Sequence, residues 1–353
     1  MPTSPRTSRS RTRTSTAVKA ATQKGMTAKG FQDAFDRIVA NASEVIKGKE
    51  PALRLVLTAM IADGHCLLED MPGTGKTMMA RALSTSIEAR STRIQCTPDL
   101  LPSDVTGAPV LDAKTGTFTF REGPVFANVL LVDEINRATP KTQSALLEAM
   151  QERNVTMDGH THALPKPFLI LATQNPLEMA GTFPLPEAQL DRFLLKLSVG
   201  YPDRDAEGEL LDANSSSEAI TRLGAVSSTA EILAMQEFCT DVELPEPVKM
   251  YIVDVCQATR TDPSLLMGAS SRASISLVKA SRVRAASQGR DVVLPDDVRA
   301  LLGPVIEHRL ILTPDAQLRD ESVGAVLERI LARIPVPLGV GESKPSLRKA
   351  ASA

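Results

Sequence analysis

Cysteine, histidine and aromatic residues are all scarce in this sequence. It contains four cysteines, four histidines, two tyrosines and no tryptophan among 353 residues. The cysteines lie far apart and form no CxxC pair, which argues against a disulfide framework and against a zinc site. No HExxH pattern is present, so metalloprotease chemistry has no support. A reducing compartment is the default for such a chain, and we expect a cytoplasmic location.

Long hydrophobic runs are also missing. No apolar segment approaches the ~20 residues that span a bilayer, and no hydrophobic signal-peptide core is present. We therefore expect no transmembrane segment. The rest of the composition is ordinary for a globular protein, with 42% hydrophobic and 23% charged residues. At about 150 residues per domain, the length predicts roughly two domains.

Acidic side chains are absent from the start of the chain. Residues 1–30 carry seven basic side chains and no acid, whereas the whole chain has a net charge of −2, so the remainder is acidic. This segment is rich in Ser, Thr and Arg and poor in large apolar groups, and we predict a disordered basic arm over residues 1–30. A second interpretation is an arm that contacts nucleic acid, a membrane or another acidic partner. The acidic remainder makes nucleic acid an unlikely ligand.

Short apolar runs alternate with helical patterns through the first half of the chain. Val129–Asp133 and Phe168–Ala172 are two such runs. The alternation predicts an α/β fold with a parallel sheet covered on both faces. Later in the chain the apolar runs stop and helical patterns continue, which predicts an all-helical second domain. We place the two domains at 31–202 and 203–335, followed by a flexible tail over 336–353.

Two segments inside the first domain predict β-hairpins. Val155–Met157 and His160–His162 flank Asp158-Gly159, which is a strong two-residue turn signal. Val110–Leu111 and Phe118–Phe120 flank a second turn. The two histidines share one strand face and could hold a metal, but two ligands without a third are more often surface residues. The phenylalanines could contact a partner, although alternating aromatic residues in a hairpin are usually packing residues.

The segment from Met71 to Thr77 follows a short apolar run and precedes a helical pattern. It reads Met-Pro-Gly-Thr-Gly-Lys-Thr. Glycines let backbone N–H groups face an anion, and a helix N-terminus adds partial positive charge. The Lys76 ammonium would bring a full positive charge to the β- and γ-phosphates of a nucleotide, and the Thr77 hydroxyl could ligate Mg²⁺. The full pattern has glycine six residues before the lysine, where this chain has Asp70, but the end that contacts phosphate is intact.

An acidic pair and an amide follow two of the apolar runs. Asp133 and Glu134 lie at the end of one run, where open α/β sheets bind ligands. Asp133 could hold Mg²⁺, and Glu134 could take a proton from an attacking water. The alternative for this pair is a solvated helix N-cap. Asn175 could hydrogen-bond the same water or the γ-phosphate, although its Asn-Pro context is also typical of a turn.

These segments, with others farther along the chain, resemble the MoxR family of AAA+ ATPases over about residues 31–335. The segments that carry the resemblance are Gly73–Thr77, Asp133–Ala138, Lys141–Glu152, Ala172–Pro176 and Pro184–Phe193. The resemblance implies a three-layer α/β/α AAA+ P-loop domain with a parallel sheet, followed by an all-helical lid domain.

The resemblance also implies a role for each residue of an ATP site. Lys76 and Thr77 match Walker A, Asp133 and Glu134 match Walker B, and Asn175 matches sensor 1. The resemblance further implies phosphate-loop contacts from Pro72, Gly73, Thr74, Gly75 and Met78, and an adenine-side stretch that contains Ile46 and Gly48.

Two arginines are implied to act from outside the phosphate loop. Arg192 matches the arginine finger that reaches the γ-phosphate of a neighbouring subunit, and Arg272 matches the sensor 2 arginine of the lid. The alternative for Arg192 is an ion pair with Asp191 or another acid in the same chain, and the alternative for Arg272 is a solvated helix residue. An exposed ion pair would contribute only about 0–1 kcal/mol, so stability gives weak reason for Arg192.

The implied activity is Mg²⁺-dependent ATP hydrolysis in a homo-oligomeric, hexameric ring. The family resemblance implies chaperone-like work on a client protein complex, together with a partner that carries a von Willebrand A domain. It also implies that the two hairpins line the ring pore. Two alternatives stay open, namely a nucleic-acid-associated AAA+ motor and an ATP-gated scaffold with little turnover.

Overall fold

The computed structural model describes most of the chain beyond its first residues. The described ranges are 25–69, 74–114, 116–157, 159–175, 181–201, 204–205, 207–208 and 220–337. Most of the predicted basic arm and nearly all of the predicted tail lie outside these ranges. The same is true of several residues named above, among them Asp70, Pro72, Gly73 and the turn residue Asp158. Among the described residues the first helix begins at Ala28, and the Thr27 side chain accepts a hydrogen bond from the Gly30 N–H.

The centre of the molecule is a five-stranded, fully parallel sheet, which confirms the predicted α/β class. Its strands are β1 (Cys66–Glu69), β2 (Ser91–Gln95), β5 (Val129–Asp133), β8 (Leu169–Gln174) and β9 (Leu195–Leu197). Their spatial order is β2-β5-β8-β1-β9. Because every strand runs the same way, the ends of β1, β5 and β8 meet at one edge of the sheet.

Alternate residues of the central strands enter two different apolar cores. Leu131 of β5 points into the core that contains the N-terminal and lid helices, whereas Leu130 and Val132 point into a second core beneath the opposite face. This two-residue period is typical of a sheet covered on both sides. The arrangement confirms the predicted three-layer architecture.

Helices of the first part of the chain cover both faces of the sheet. They are α1 (Ala28–Ser43), α2 (Glu50–Ile61), α3 (Lys76–Ser86), α4 (Pro102–Thr106), α5 (Pro140–Glu152) and α6 (Glu187–Leu190). Helix α5 packs Leu146, Leu147 and Met150 into the second core. Pro51 lies in the first turn of α2, where a proline costs no hydrogen bond.

The C-terminal part of the chain is helical, as predicted. Its helices are α7 (Thr229–Asp241), α8 (Glu246–Thr261), α9 (Ser271–Ser287), α10 (Pro295–Ile306), α11 (Pro314–Leu318) and α12 (Val323–Leu331). The structure adds a short antiparallel ribbon, formed by β10 (Leu265–Met267) and β11 (Ile311–Leu312). Strands of three and two residues are too short to leave a period in the sequence. Among the described helices, none has the length and apolar character needed to cross a membrane.

The N-terminal helices share a core with the lid helices. Phe31 of α1 packs on Phe238 of α7, with ring centroids 5.6 Å apart. Arg37 of α1 forms a 2.9 Å ion pair with Glu231 of α7. The apolar face of α1 is therefore buried partly against the second half of the chain, which a sequence pattern cannot specify.

Both predicted hairpins are present and contact each other. The first consists of β3 (Gly107–Asp112) and β4 (Thr117–Glu122), and the second of β6 (Asn154–Met157) and β7 (His160–Ala163). Phe120 stacks on His162 across the two hairpins, with ring centroids 4.1 Å apart. These two side chains are thus packing residues, whereas Phe118 is 72% exposed.

We expect His308, a partly buried histidine just after α10, to make the fold acid-sensitive. Burial, reinforced by the charge of Arg309, lowers the pKa of His308 to about 3. The unfolded chain, with a histidine pKa of about 6.5, then binds more protons than the native chain at intermediate pH. Stability is therefore full above pH ~6.5 and is lost as the pH falls, by about 2 kcal/mol between pH 7 and pH 5.

The measurement for this prediction is urea unfolding at pH 7 and at pH 5, for wild type and for His308→Gln. The difference between the two pH values should shrink by about 2 kcal/mol in His308→Gln. The matched control is His160→Gln, because His160 is exposed. Equal pH dependence in all three proteins would contradict the assignment.

Candidate functional site

A cleft of about 350 Å³ lies at the edge of the sheet where β1, β5 and β8 end. It brings together nearly all of the residues predicted for the phosphate end of a nucleotide site. The described residues that line it are Thr74, Gly75, Lys76, Thr77, Met78, Arg93, Gln95, Asp133, Glu134, Thr173 and Asn175. Residues from four separate segments of the sequence therefore face one cavity.

The phosphate loop joins β1 to α3. Gly75 adopts a left-handed backbone conformation, with φ of 86°, and immediately precedes the first helical residue, Lys76. This conformation favours glycine, and it leads the chain directly into a helix whose first residues line the cleft. Lys76 and Thr77 are half-buried in the cleft wall. The arrangement is suited to bind an anion.

The Asp133 carboxylate lies at the carboxyl end of β5 and is mostly buried. Its Oδ2 accepts a 2.6 Å hydrogen bond from Arg93 Nε, and its Oδ1 accepts one from the Thr173 hydroxyl at 3.4 Å. A buried carboxylate requires such partners, because desolvation of an unpaired charge is costly. Arg93 therefore supplies the positive charge that balances Asp133 in this structure.

Glu134 adopts a backbone conformation that is rare for residues other than glycine. Its φ is 55°, and its N–H donates a 2.9 Å hydrogen bond to the Thr173 hydroxyl. Non-glycine residues in this region cost about 1–3 kcal/mol and cluster at functional sites. The Glu134 carboxylate is paired with Arg137 at 2.9 Å. The predicted proton acceptor is thus held at the cleft wall by its backbone and by an ion pair.

Sequence reasoning missed three of the residues that line the cleft: Arg93, Gln95 and Thr173. Arg93 and Gln95 lie two residues apart on β2, so their side chains point to the same face of the sheet. That two-residue spacing is visible in the sequence and was the available signal. Thr173 belongs to the segment Ala172–Pro176, which carries part of the family resemblance, but no role was predicted for it.

Cys96 lies next to the cleft but is chemically inert. Burial, with the nearby Asp133 and Glu134 carboxylates, raises the pKa of the Cys96 thiol to about 12. The thiolate is the nucleophilic form of cysteine, so this side chain is unreactive at neutral pH. The polar residues of the cleft are left to carry its chemistry.

Arg192 does not lie among the described residues that line the cleft. It faces a separate surface hollow formed with Ser144, Leu147, Glu148, Gln151, Glu152 and Gln189, and its Nη1 donates to the Leu147 carbonyl at 3.3 Å. The alternative ion pair with Asp191 is not formed among the described contacts, because Asp191 pairs with Arg309 and Arg272 instead. The guanidinium of Arg192 is therefore separated from the cleft of its own chain.

The other predicted contacts also lie away from the described cleft. Arg272, at the start of α9, is 3.5 Å from Asp191 and its side chain is 47% exposed. Ile46 is buried in the core shared with the lid, and Gly48 is an exposed residue with φ of 68°. Their predicted nucleotide contacts stay predictions.

The residues present fit a magnesium ion. Thr77 and Asp133 line the same cleft and offer a hydroxyl and a carboxylate oxygen. Hard oxygen donors of this kind, few in number, suit Mg²⁺, which usually keeps several waters and contacts substrate phosphates. These two side chains are the donors that would hold the ion.

Comparison with known proteins finds similarity to AAA ATPases in both parts of the chain. Residues 65–195 match the model of the ATPase family associated with various cellular activities (AAA), and residues 257–330 match the AAA lid domain. The YeaC protein of Bacillus subtilis is 47% identical over 302 residues, which cover 86% of this chain and 94% of that protein. Chaperone MoxR1 of Mycobacterium tuberculosis is 38% identical over 340 residues, which cover 90% of this chain and 88% of the relative.

Two solved structures share the fold of this chain. A Cytophaga hutchinsonii protein, described as a candidate ATPase, superposes with a TM-score of 0.83 at 34% identity, over 91% of this chain and 99% of that chain. An MCM homologue from Methanopyrus kandleri superposes with a TM-score of 0.53 at 18% identity, over 80% of this chain and 62% of that chain. The second likeness concerns the fold alone.

Proposed function

The chain belongs to the MoxR family of AAA+ ATPases, and we propose that it hydrolyses ATP in the cleft at the edge of its sheet. The observation that carries this proposal is the convergence of the phosphate loop, Asp133, Glu134 and Asn175 on one cavity. Phosphoryl transfer depends mainly on positioning and on stabilisation of negative charge. This cleft supplies a lysine, helix N–H groups, a carboxylate base and an amide for those tasks.

Each side chain has a distinct task in the proposed reaction. Lys76 neutralises the β- and γ-phosphates, and the N–H groups at the start of α3 bind the phosphate oxygens. Asn175 orients the attacking water, whose proton passes to a Glu134 carboxylate oxygen. Thr77 and Asp133 are the donors for Mg²⁺, which when bound neutralises part of the phosphate charge.

Glu134 has to be released before it can act as a base. In this structure one of its carboxylate oxygens already accepts a hydrogen bond from Arg137 Nη1 at 2.9 Å. We propose that nucleotide binding weakens this pair, so that Glu134 turns toward the water.

We further propose that the site is completed by a neighbouring subunit. Arg192 faces away from its own cleft, toward the hollow beside α5. An arginine presented at the surface can reach the γ-phosphate bound to the next subunit only in a head-to-tail assembly, which closes as a ring. A hexamer is the ring size implied by the family resemblance.

The work driven by hydrolysis is proposed from relatives. The Mycobacterium relative is named a chaperone, which supports chaperone-like remodelling of a client protein complex. A partner with a von Willebrand A domain belongs to the same proposal and is supported by the family resemblance. We also propose a cytoplasmic location, in keeping with four buried, unpaired cysteines.

The test of the proposal is steady-state ATP hydrolysis with Mg²⁺, measured as a function of protein concentration. We expect specific activity to rise with concentration, because assembly completes each site. Activity that is independent of concentration would contradict a shared site. Nucleotide binding without turnover at any concentration would identify an ATP-gated scaffold, and turnover only with added DNA would identify a nucleic-acid motor.

We expect Arg93 to compete with the metal for Asp133. Its guanidinium contacts the Asp133 carboxylate at 2.6 Å, but its side chain is 55% exposed. An exposed pair of this kind is worth about 0–1 kcal/mol, so Arg93→Ala should lower the Mg²⁺ concentration for half-maximal nucleotide binding by up to about fivefold.

Fluorescent-nucleotide titration across Mg²⁺ concentrations measures the effect of Arg93→Ala. The matched control is Arg90→Ala, since Arg90 pairs at 4.0 Å with Glu122, outside the cleft. A rise in the required Mg²⁺ concentration in Arg93→Ala would show that Arg93 assists the metal instead of competing with it.

A further inference from the structure

Arg309, which follows α10 in the lid, is almost completely buried, with 2% of its side chain exposed. Its Nε donates to Asp191 Oδ1 at 2.8 Å. Its Nη2 donates to the Phe193 carbonyl at 2.7 Å and to the Asp191 carbonyl at 3.3 Å. One guanidinium therefore binds the backbone on both sides of Arg192, although it lies more than a hundred residues later in the chain.

Other lid residues reinforce this joint. The Ser270 hydroxyl donates to both Asp191 carboxylate oxygens at 3.0 and 3.1 Å. His308 Nε2 lies 3.2 Å from the Phe193 carbonyl, and a carbonyl can only accept, so the ring donates. Arg309 also contacts the Val305 carbonyl and the Ser276 hydroxyl, which fix its position within the lid.

The contacts of Asp191 and Phe193 with the lid fix the orientation of the Arg192 side chain between them. While the flanking residues are bound to the lid, the Arg192 side chain points into the hollow beside α5 and donates to Leu147 O. Hydrogen bonds to a charged, buried guanidinium are among the stronger ones in proteins, and a planar fork allows little reorientation. Any rotation of the lid must therefore carry the backbone of residues 191–193 with it.

We propose that Arg309 is a positioning residue that couples the lid to Arg192, and so to the ATP site of the neighbouring subunit. The inference rests on the proposed function, in which Arg192 acts in that neighbouring site. Nucleotide bound in one subunit changes the setting of its lid, and Arg309 transmits this setting to the arginine presented to the next subunit. Communication around the ring then passes through the contacts that hold Asp191 and Phe193 on the lid, with Arg309 at their centre.

The test is a double-mutant cycle between Arg309→Lys and Arg192→Ala. Lysine keeps the charge but loses the fork that reaches both carbonyls. We expect Arg309→Lys to lower kcat at least tenfold, with the affinity for ATP and the assembly size unchanged. The double variant should be no slower than Arg192→Ala alone, because Arg309 acts only through Arg192. Single-turnover hydrolysis resolves rates this low.

A matched control separates positioning from general lid stability. Arg290 makes a comparable paired contact with Asp297, at 2.7 and 2.8 Å, but entirely within the lid. Arg290→Lys should keep kcat within twofold. If Arg309→Lys folds poorly, Asp191→Asn removes the Arg309 pair together with the weaker 3.5 Å Arg272 pair, and the Asp191→Asn effect should likewise disappear in the Arg192→Ala background.

Two results would overturn the inference without touching the proposed function. In the first, the Arg309→Lys protein hydrolyses ATP at the wild-type rate although the Arg192→Ala protein is impaired. The other is a double variant that is slower than Arg192→Ala by the full Arg309→Lys factor, which would indicate independent effects. If Arg192→Ala itself turns over ATP at the wild-type rate, the proposed shared site fails, and the coupling fails with it.

Discussion

Glu134→Gln is expected to lower the rate of ATP hydrolysis by about 10²–10⁴, the range typical of a general base. The amide cannot take a proton from the attacking water, yet it has nearly the same shape as the carboxylate. Nucleotide affinity should therefore change by less than about threefold, since Glu134 acts in the transition state and contributes little to ground-state binding. Bound ATP would persist, and assembly should be retained.

The measurement pairs steady-state hydrolysis with a direct nucleotide-binding titration. Glu328→Gln is a suitable control, because Glu328 is an exposed helix residue outside the cleft. Unchanged turnover in Glu134→Gln would disprove the proposed mechanism. Loss of binding in the same variant would instead assign Glu134 a structural role at its strained backbone position.

Arg192→Ala is expected to reduce turnover by about 10³–10⁵, which is the range for an arginine that stabilises the transition state from outside the pocket. The variant should also lose the rise of specific activity with protein concentration, because assembly no longer completes the site. Nucleotide binding by the dilute protein should be unaffected, since Arg192 lies apart from the described cleft of its own chain.

The control for Arg192→Ala is Arg319→Ala, which removes an exposed arginine of the lid. Light scattering of both variants distinguishes loss of the ring from loss of chemistry. An Arg192→Ala protein that keeps both wild-type turnover and its concentration dependence would contradict the proposed shared site.

The predicted strands and the phosphate end of the site could be read from the sequence because their signals are local. The run Val129–Asp133 is apolar and ends in an acid, and its strand has those same bounds in the structure. Lys76 opens a helix after a glycine turn, as its motif predicts. Each of these features depends on a few adjacent residues, so a pattern is enough to find it.

Long-range polar contacts could not be read in this way. Arg93 binds a carboxylate 40 residues away, and Arg309 binds one 118 residues away. Neither arginine differs in sequence from a solvated one, and only the fold brings each to its partner. The packing of α1 on the lid could not be predicted either. A helical period in the sequence reveals an apolar face, but it does not reveal which element covers that face.

The central claim is that each ATP site combines Glu134 of one subunit with Arg192 of the next. Mixing the Glu134→Gln and Arg192→Ala proteins tests it most directly, because random assembly rebuilds an intact pair at about a quarter of the head-to-tail interfaces. We predict that the mixture hydrolyses ATP at roughly that fraction of the wild-type rate, although each parent is nearly inactive. A mixture no more active than the average of its two parents would contradict the account.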